Sequence, residues 1–479
     1  MQLERFLEDS ARRVPGRTAL VAGGRRLTYA QLDRLANGLA ASLVERGVQR
    51  GDRVIVQMEN SAEAAVAIFG VLKAGAVLVM LHPTMKTAKR GAIALQCGAS
   101  AFIDEAAQAQ AGERDAPPPG RAIDLDLAAL LYTSGSTGRP KAVMLTHANL
   151  VAAATSIGTY LEISQEDVIL SVLPLSFGYG LSQLLTAFRA GATLVLERSF
   201  AYPAAVLGRI AAERATGFPM VPTMSAILLQ LDPSGFDLSS LRYVTNAGAA
   251  LPASHIAGLR ALVPQARLYS MYGLTECIRV AYLPPGEIDA RPGSVGKAMP
   301  NEEVWIVDER GRRLGPGAVG ELVVRGANVM KGYWGMPEET DRVLRPGPHP
   351  WEKVLYTGDL FRADAEGFLY YVGRRDEMIK SRGEKVSPRE VEEVLHAMEG
   401  VAEAAVVGVP DRILGHAVKA VIVAREGWRL SEADVLRHCR ARLEDFMVPR
   451  SVEFRSALPK NDRGKVARQM LIGELQEAT

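Results

Sequence analysis

Residues 127–141 read Leu-Ala-Ala-Leu-Leu-Tyr-Thr-Ser-Gly-Ser-Thr-Gly-Arg-Pro-Lys, an apolar run that ends in a loop of hydroxyl side chains and glycines. Leu127 to Tyr132 predicts a buried strand. Behind it, Gly135 and Gly138 let backbone amides approach an anion. The hydroxyls of Thr133, Ser134, Ser136 and Thr137 can donate to phosphate oxygens, and Lys141 supplies positive charge. The same composition also suits a surface turn. It is not the P-loop pattern, which needs Gly-Lys-Ser/Thr where this chain has Arg139-Pro140-Lys141, and Pro140 stops a helix from running on. Outward from this loop, helices and strands alternate. Thr28 and Gln31 form a capping-box pattern ahead of Leu32, Leu35, Ala36, Leu39 and Leu43, which recur at helical spacing. Val54 to Gln57 is a strand, Ala64 to Leu81 a buried helix turning into a strand, and Ala106 to Ala122 an exposed connection. The alternation predicts an α/β protein.

Composition bounds the function. The 479 residues are 48% hydrophobic, enough for two to four structural units with large cores. With 56 Lys+Arg against 54 Asp+Glu, no field of one sign favours nucleic acid or an anionic membrane. Cys97, Cys277 and Cys439 form neither a CxxC pair nor a zinc pattern, which fits a reducing cytoplasm. The N-terminus carries acidic residues where an export leader needs a basic and then an apolar segment, and Lys73 interrupts the longest apolar stretch. Neither export nor membrane insertion is expected.

Residues 131–141 closely resemble the signature loop of the adenylate-forming superfamily of acyl-CoA synthetases, peptide-synthetase adenylation domains and beetle luciferases. Further similarities follow in the family's order: Tyr272-Gly273-Leu274-Thr275-Glu276, Gly320-Glu321-Leu322, Tyr356-Thr357-Gly358-Asp359, Gly373 to Lys380, Gly383 to Glu390, and Pro459-Lys460 to Lys465. The resemblance spans nearly the whole chain and looks nearest to AMP-forming acyl- or aryl-CoA ligases. It implies a large N-terminal domain, 1–375, of stacked sheets and helices that binds ATP and the acid. A small mobile α+β domain, 376–479, would follow. The implied activity converts an acid and ATP to an acyl-adenylate and pyrophosphate, then passes the acyl group to the thiol of CoA. A relative that loads a phosphopantetheinyl carrier protein, one that adenylates a non-carbon acid such as nitrite, and a non-catalytic nucleotide-binding scaffold are the alternatives.

The matched residues have stateable chemistry. Glu276 can ligate Mg2+ while the Thr275 hydroxyl meets the α-phosphate. The Asp359 carboxylate can accept from both ribose hydroxyls, or else cap a turn. By resemblance, Arg374 contacts ribose and phosphate, and Tyr272, Gly248 and Ala249 lie near the adenine. Lys465 bridges ATP and the attacking carboxylate, offsetting charge as pyrophosphate leaves. Arg463 stands where the family places a serine. The resemblance also implies that Asp376 is the hinge about which the small domain turns, bringing the loop at Gly383 to the thiol tunnel. The presence of Lys141, Glu276, Asp359, Arg374 and Lys465 together favours the enzyme over the scaffold.

The acid pocket is thinner in signal. Ser176-Phe177-Gly178 lacks the aspartate that pairs with an α-amine in amino-acid-activating relatives, so a buried ammonium would go unpaired and α-amino acids are disfavoured. Phe177 stands where many CoA ligases have a histidine. Ala247 and Gly248 leave room for an apolar acyl or aryl group, although small residues also suit a tightly packed strand end. Cys277 and Val280 close the floor, with Cys277 lining rather than attacking.

Overall fold

The structure, a computed structural model, describes residues 1–104, 111–120, 122–134, 140–249, 251–381, 384–411, 415–460 and 466–477. It is α/β, as the alternation predicts, and the chain divides into two compact units. One comprises Met1–Trp305 with Val323–Tyr356, the other Ile306–Leu322 with Thr357–Thr479. Among the described residues no helix is long and apolar enough to cross a membrane.

The first unit carries two sheets. In one, the strands Thr18–Ala22, Thr193–Leu196, Val168–Ser171, Gly217–Met220, Tyr243–Asn246 and Arg267–Tyr272 lie side by side and parallel. Parallel strands are covered on both faces, which is why Val168–Ser171, Thr193–Leu196 and Gly217–Met220 read as near-continuous apolar runs. After Tyr272 the chain reverses into antiparallel Ala281–Tyr282. In the second sheet, Arg53–Val56 pairs in parallel with Val77–Met80 and with Ala99–Ile103. Val77–Met80 pairs in turn with Leu127–Ser134.

The expected helix-to-strand passage is the helix Ala62–Lys73 followed by Val77–Met80, buried throughout. The capping box forms as read, with Thr28 accepting from the Gln31 amide at the start of Tyr29–Glu45. Leu32, Ala36, Leu39 and Leu43 are buried, but Leu35 is only half-buried. Lys73 is wholly buried, and its ammonium donates to Asp33 at 2.7 Å, Asn37 at 2.6 Å and Glu8 at 3.2 Å, tying three helices together.

In the second unit, Val401–Asp411 and Gly415–Ala424 form a long hairpin whose alternate residues feed two cores. Ala404, Val406, Val418, Ala420 and Ile422 pack with Val391 and Leu395 of the helix Pro388–His396 on one face. Ala405, Val407 and Val421 pack with Leu471 and Leu475 of the helix Arg468–Glu477 on the other. Arg468 fastens that last helix by a fork to both oxygens of Glu392, at 2.8 and 2.7 Å.

The chain's start is docked by a buried titratable pair. The Leu3 amide donates to His147 Nδ1 at 3.0 Å, and Glu4 Oε2 lies 3.5 Å from the same nitrogen. Burial pushes the Glu4 carboxyl up to about 7 and the His147 imidazole down to about 4. Between pH 4.5 and 7 the folded protein keeps a proton on Glu4 that the unfolded chain has released, so this group's contribution to stability falls as pH rises. For His147 the unfolded chain binds a proton that the folded state refuses down to about pH 4, so its contribution falls as pH drops below about 6.5. The two oppose each other. Glu4→Gln should therefore gain stability relative to the parent by about 2 kcal/mol between pH 4.5 and 6.5, read by urea denaturation at each pH. Parallel pH profiles for the two proteins would refute the assignment.

Candidate active site

The hydroxyl-rich loop joins two antiparallel strands. Leu127–Ser134 pairs with Pro140–Thr146, setting Thr133 opposite Lys141 and Ser134 opposite Pro140. It is thus a hairpin connection and not a strand-to-helix turn, in keeping with the Pro140 argument. Gly135, Ser136, Thr137 and Gly138, and the Ser134 side chain, lie outside the described residues. On the far side of Pro140–Thr146 runs the short strand Gly332–Tyr333, with Tyr333 opposite Val143. Gly332 is required there, because its φ is +132° and a Cβ would fall 2.5 Å from Thr340. Lys141 Nζ pairs with Glu339 at 2.7 Å and sits 5.1 Å from the centre of the Tyr333 ring. Its hydrogen bond holds the Glu339 carboxyl below the usual carboxylate range.

The Tyr333 hydroxyl donates to Glu276 Oε1 at 2.7 Å. Glu276 and Thr275 lie half-buried just beyond Arg267–Tyr272, in a tight reversal closed by the Val280 amide donating to the Tyr272 carbonyl at 2.9 Å. A Cβ on Gly273 would fall 2.6 Å from the Ile278 carbonyl, so the turn needs glycine. Lys141, Tyr333, Glu339 and Glu276 are thereby brought into one cluster. Tyr333 and Glu339 are residues the motifs do not mark.

A third segment carries the residues expected at the acid pocket. Phe177 precedes the helix Gly178–Ala190, and its ring stacks on His82 at 5.4 Å. The Tyr179 hydroxyl reaches Thr245 Oγ1 at 2.7 Å. Ala247 is buried, Gly248 takes the left-handed conformation at φ +91°, and Ala249 is exposed with its carbonyl accepting from Asn246 at 3.1 Å. Cys277 is fully buried, and burial, then Glu302 and Glu276, push its thiol well above the ordinary value, so it stays protonated and poorly nucleophilic.

In the second unit, Asp359 follows Gly358, which adopts φ +71°, and lies directly opposite Arg374. Arg374 Nη1 pairs with Asp359 Oδ1 at 3.1 Å, and its Nε reaches Asp376 at 3.3 Å. Glu321 accepts the Gly358 amide at 2.9 Å and Arg375 at 2.7 Å, which holds the turn. Asp359 is buried, with its amide donating to Thr357 Oγ1 at 3.1 Å. Gly383 and Lys465 lie outside the described residues.

Glu276 offers one carboxylate oxygen beyond that held by Tyr333, and no group of three or more His, Cys, Asp or Glu that could hold a metal ion occurs among the described residues. A lone carboxylate fits Mg2+, which keeps most of its waters and shares phosphate oxygens, and does not fit an all-protein metal cage. When bound, the ion neutralises phosphate charge; Glu276 would hold it, and Tyr333 orients Glu276.

A hydroxyl-rich strand connection and a carboxylate suited to Mg2+ in the first unit, and a buried aspartate paired with an arginine in the second, are parts that a nucleotide-consuming ligase needs. The chain matches the sequence patterns described as AMP-binding enzyme over residues 7–125 and 107–334, and AMP-binding enzyme C-terminal domain over residues 390–465. It is 36% identical over 477 residues to a feruloyl-CoA synthase of Amycolatopsis sp, with 95% of each chain covered. To a long-chain-fatty-acid–CoA ligase of Bacillus subtilis (strain 168) it is 31% identical, covering 99% of this chain and 95% of that one. The solved structure of o-succinylbenzoate coenzyme A synthetase from Bacillus subtilis with ATP and magnesium ion superposes with a TM-score of 0.87 at 29% identity, covering 97% of this chain and 98% of that one. The chain belongs to the family of AMP-binding enzymes. It is an ATP-dependent, AMP-forming ligase of the acyl-CoA synthetase type.

Tyr333→Phe should slow pyrophosphate release by about 10-fold and raise the Mg2+ concentration needed for half-maximal rate, because loss of an outer partner loosens a metal-binding carboxylate. Titration of Mg2+ under initial-rate conditions checks this. An unchanged Mg2+ dependence would remove Glu276 from the metal site.

Proposed function

We propose that the residues gathered above divide the two half-reactions between them, and that the acid lacks an α-ammonium group. The hydroxyls of Thr133, Ser134, Ser136 and Thr137, with Gly135, Gly138 and Lys141, hold the ATP phosphates. Thr275 and Glu276 serve the α-phosphate and the ion, and Tyr272, Gly248 and Ala249 border the adenine. Asp359 and Arg374 hold the ribose, while Phe177, Ala247, Gly248 and Cys277 line the acid pocket. Lys465 neutralises charge as the carboxylate oxygen bonds to the α-phosphorus and pyrophosphate departs with its electron pair. The thiol sulfur then attacks the acyl carbon and AMP leaves. A domain boundary at 375/376, a hinge at Asp376 and a thiol path past Gly383 accommodate the second step. The acceptor is free CoA in the cytoplasm; a phosphopantetheinyl carrier presents the same thiol and is scored in the same assay.

The observation that most supports adenylation is the Tyr333–Glu276 hydrogen bond beside Lys141, which aims one carboxylate and one ammonium from separate sheets into a single cluster. Pyrophosphate release with ATP and a panel of aliphatic, aryl and β-amino acids tests it, with mass spectrometry of products formed with CoA or a carrier protein. Silence across the panel would sink the reading. Lys465→Ala should lose adenylation by about 100-fold or more yet still move the acyl group from a supplied acyl-adenylate to the thiol. Equal loss in both half-reactions would contradict the division of labour.

A further inference from the structure

Arg279 is the largest fully buried side chain among the described residues, with 1% of its surface exposed. Its Nε has no hydrogen-bond partner, and among the described residues its guanidinium forms no ion pair. The contact it does make is with the face of Tyr179, 4.9 Å from the ring centre. Glu302, the acid whose charge it feels, makes no ion pair with it and instead accepts from Asn328 at 2.6 Å, and burial pushes that carboxyl above its ordinary range. The neighbouring phenols do not compensate either, since Tyr179 is committed to Thr245 and Tyr160 donates to Met271 Sδ at 3.0 Å. An unpaired buried guanidinium costs several kcal/mol, and apolar residues of similar volume would serve packing better.

The backbone beside it is strained as well. Ile278 stands at φ +66°, a conformation that a β-branched residue rarely adopts, and the Arg279 amide donates to the Cys277 carbonyl across it at 2.7 Å. Asn328 holds this geometry by donating to the carbonyls of Cys277 at 2.7 Å and Arg279 at 3.0 Å. Strain at one residue and an uncompensated charge at the next lie directly after Glu276. They face Tyr179, two residues beyond Phe177, which is expected at the acid pocket. A bound anion would resolve the charge.

We infer that Arg279 is a specificity-determining residue of the acid site, and that the acid it selects carries a second anionic oxygen group, in the simplest case a distal carboxylate, which pairs with this guanidinium. The inference rests on the adenylation reading above and deepens it. A planar fork of donors suits a carboxylate, and a site built around a buried donor rejects a ligand that leaves it unpaired.

The test uses the full-length enzyme, ATP, Mg2+ and matched acid pairs differing only in the distal group: adipate with its monomethyl ester, and terephthalate with 4-acetylbenzoate. The parent should show kcat/KM at least about 10-fold higher for the dianionic member of at least one pair. Arg279→Met should lose about 100-fold on that member, mainly through KM, and improve on the uncharged one, with Arg279→Lys intermediate. A thermal midpoint for Arg279→Met no lower than the parent's shows that the variant is folded. Equal use of both members by the parent, or a uniform loss on both in Arg279→Met, would overturn the assignment while leaving adenylation intact. Silence with every acid would instead bring down the adenylation reading itself.

Discussion

One hydrogen bond, from the Tyr333 hydroxyl to Glu276, closes the first unit's site. Glu276 sits past the end of a parallel sheet, on a reversal too tight for any side chain at Gly273. Tyr333 belongs to a two-residue edge strand of the other sheet, pinned between Val143 and the helix that begins at Pro337. A free glutamate on a turn samples several rotamers, and ordering it on substrate binding would cost roughly 1 to 2 kcal/mol. The phenol removes that cost in advance and engages only one of the two carboxylate oxygens. The same ring lies against Lys141, so the cation and the anion of the cluster are positioned by one aromatic side chain with two different faces to offer.

The second unit holds its polar residues by another device. Gly358 turns the chain with a positive φ, and Glu321 accepts its amide, so Asp359 is presented from a strand whose partner carries Arg374 in register. The buried carboxylate of Asp359 thereby has a cation 3.1 Å from its Oδ1, at Arg374 Nη1. Thr357 completes the turn by donating to the Leu322 carbonyl at 2.9 Å. Each of these residues falls within a short run of chain that a motif can span.

That difference explains what was legible in the sequence. Helix Tyr29–Glu45 and the passage from Ala62–Lys73 into Val77–Met80 were readable because capping and periodicity are local. Pro140 alone excluded a helix after the hydroxyl-rich loop, and the hairpin bears that out. Leu35 has the right spacing and is nonetheless half-exposed, since periodicity cannot say how wide a face the neighbours cover. Tyr333, Glu339 and Arg279 carried no signal. Tyr333 meets its partner across 57 residues and Glu339 across 198, and a lone tyrosine, glutamate or arginine with no spacing rule looks like ordinary surface. His82 beneath Phe177 was hidden for the same reason.

Two buried cations in the first unit show how a structural charge differs from one held for a ligand. Lys73 is as deeply buried as Arg279, but three side chains meet its ammonium at 2.6 to 3.2 Å, two of them acids that join separate helices. Every donor of that ammonium is used, and the folding of the helices requires the charge. Arg279 has five donors, an unpartnered Nε, and one aromatic face. Removing its unpaired charge would relieve the fold, whereas the Ile278 geometry is held by Asn328 and would stay. A residue whose buried, unpaired charge lowers stability, three positions after the candidate metal carboxylate, is placed for chemistry. Packing alone does not account for it, and the group that completes it has to arrive with the substrate.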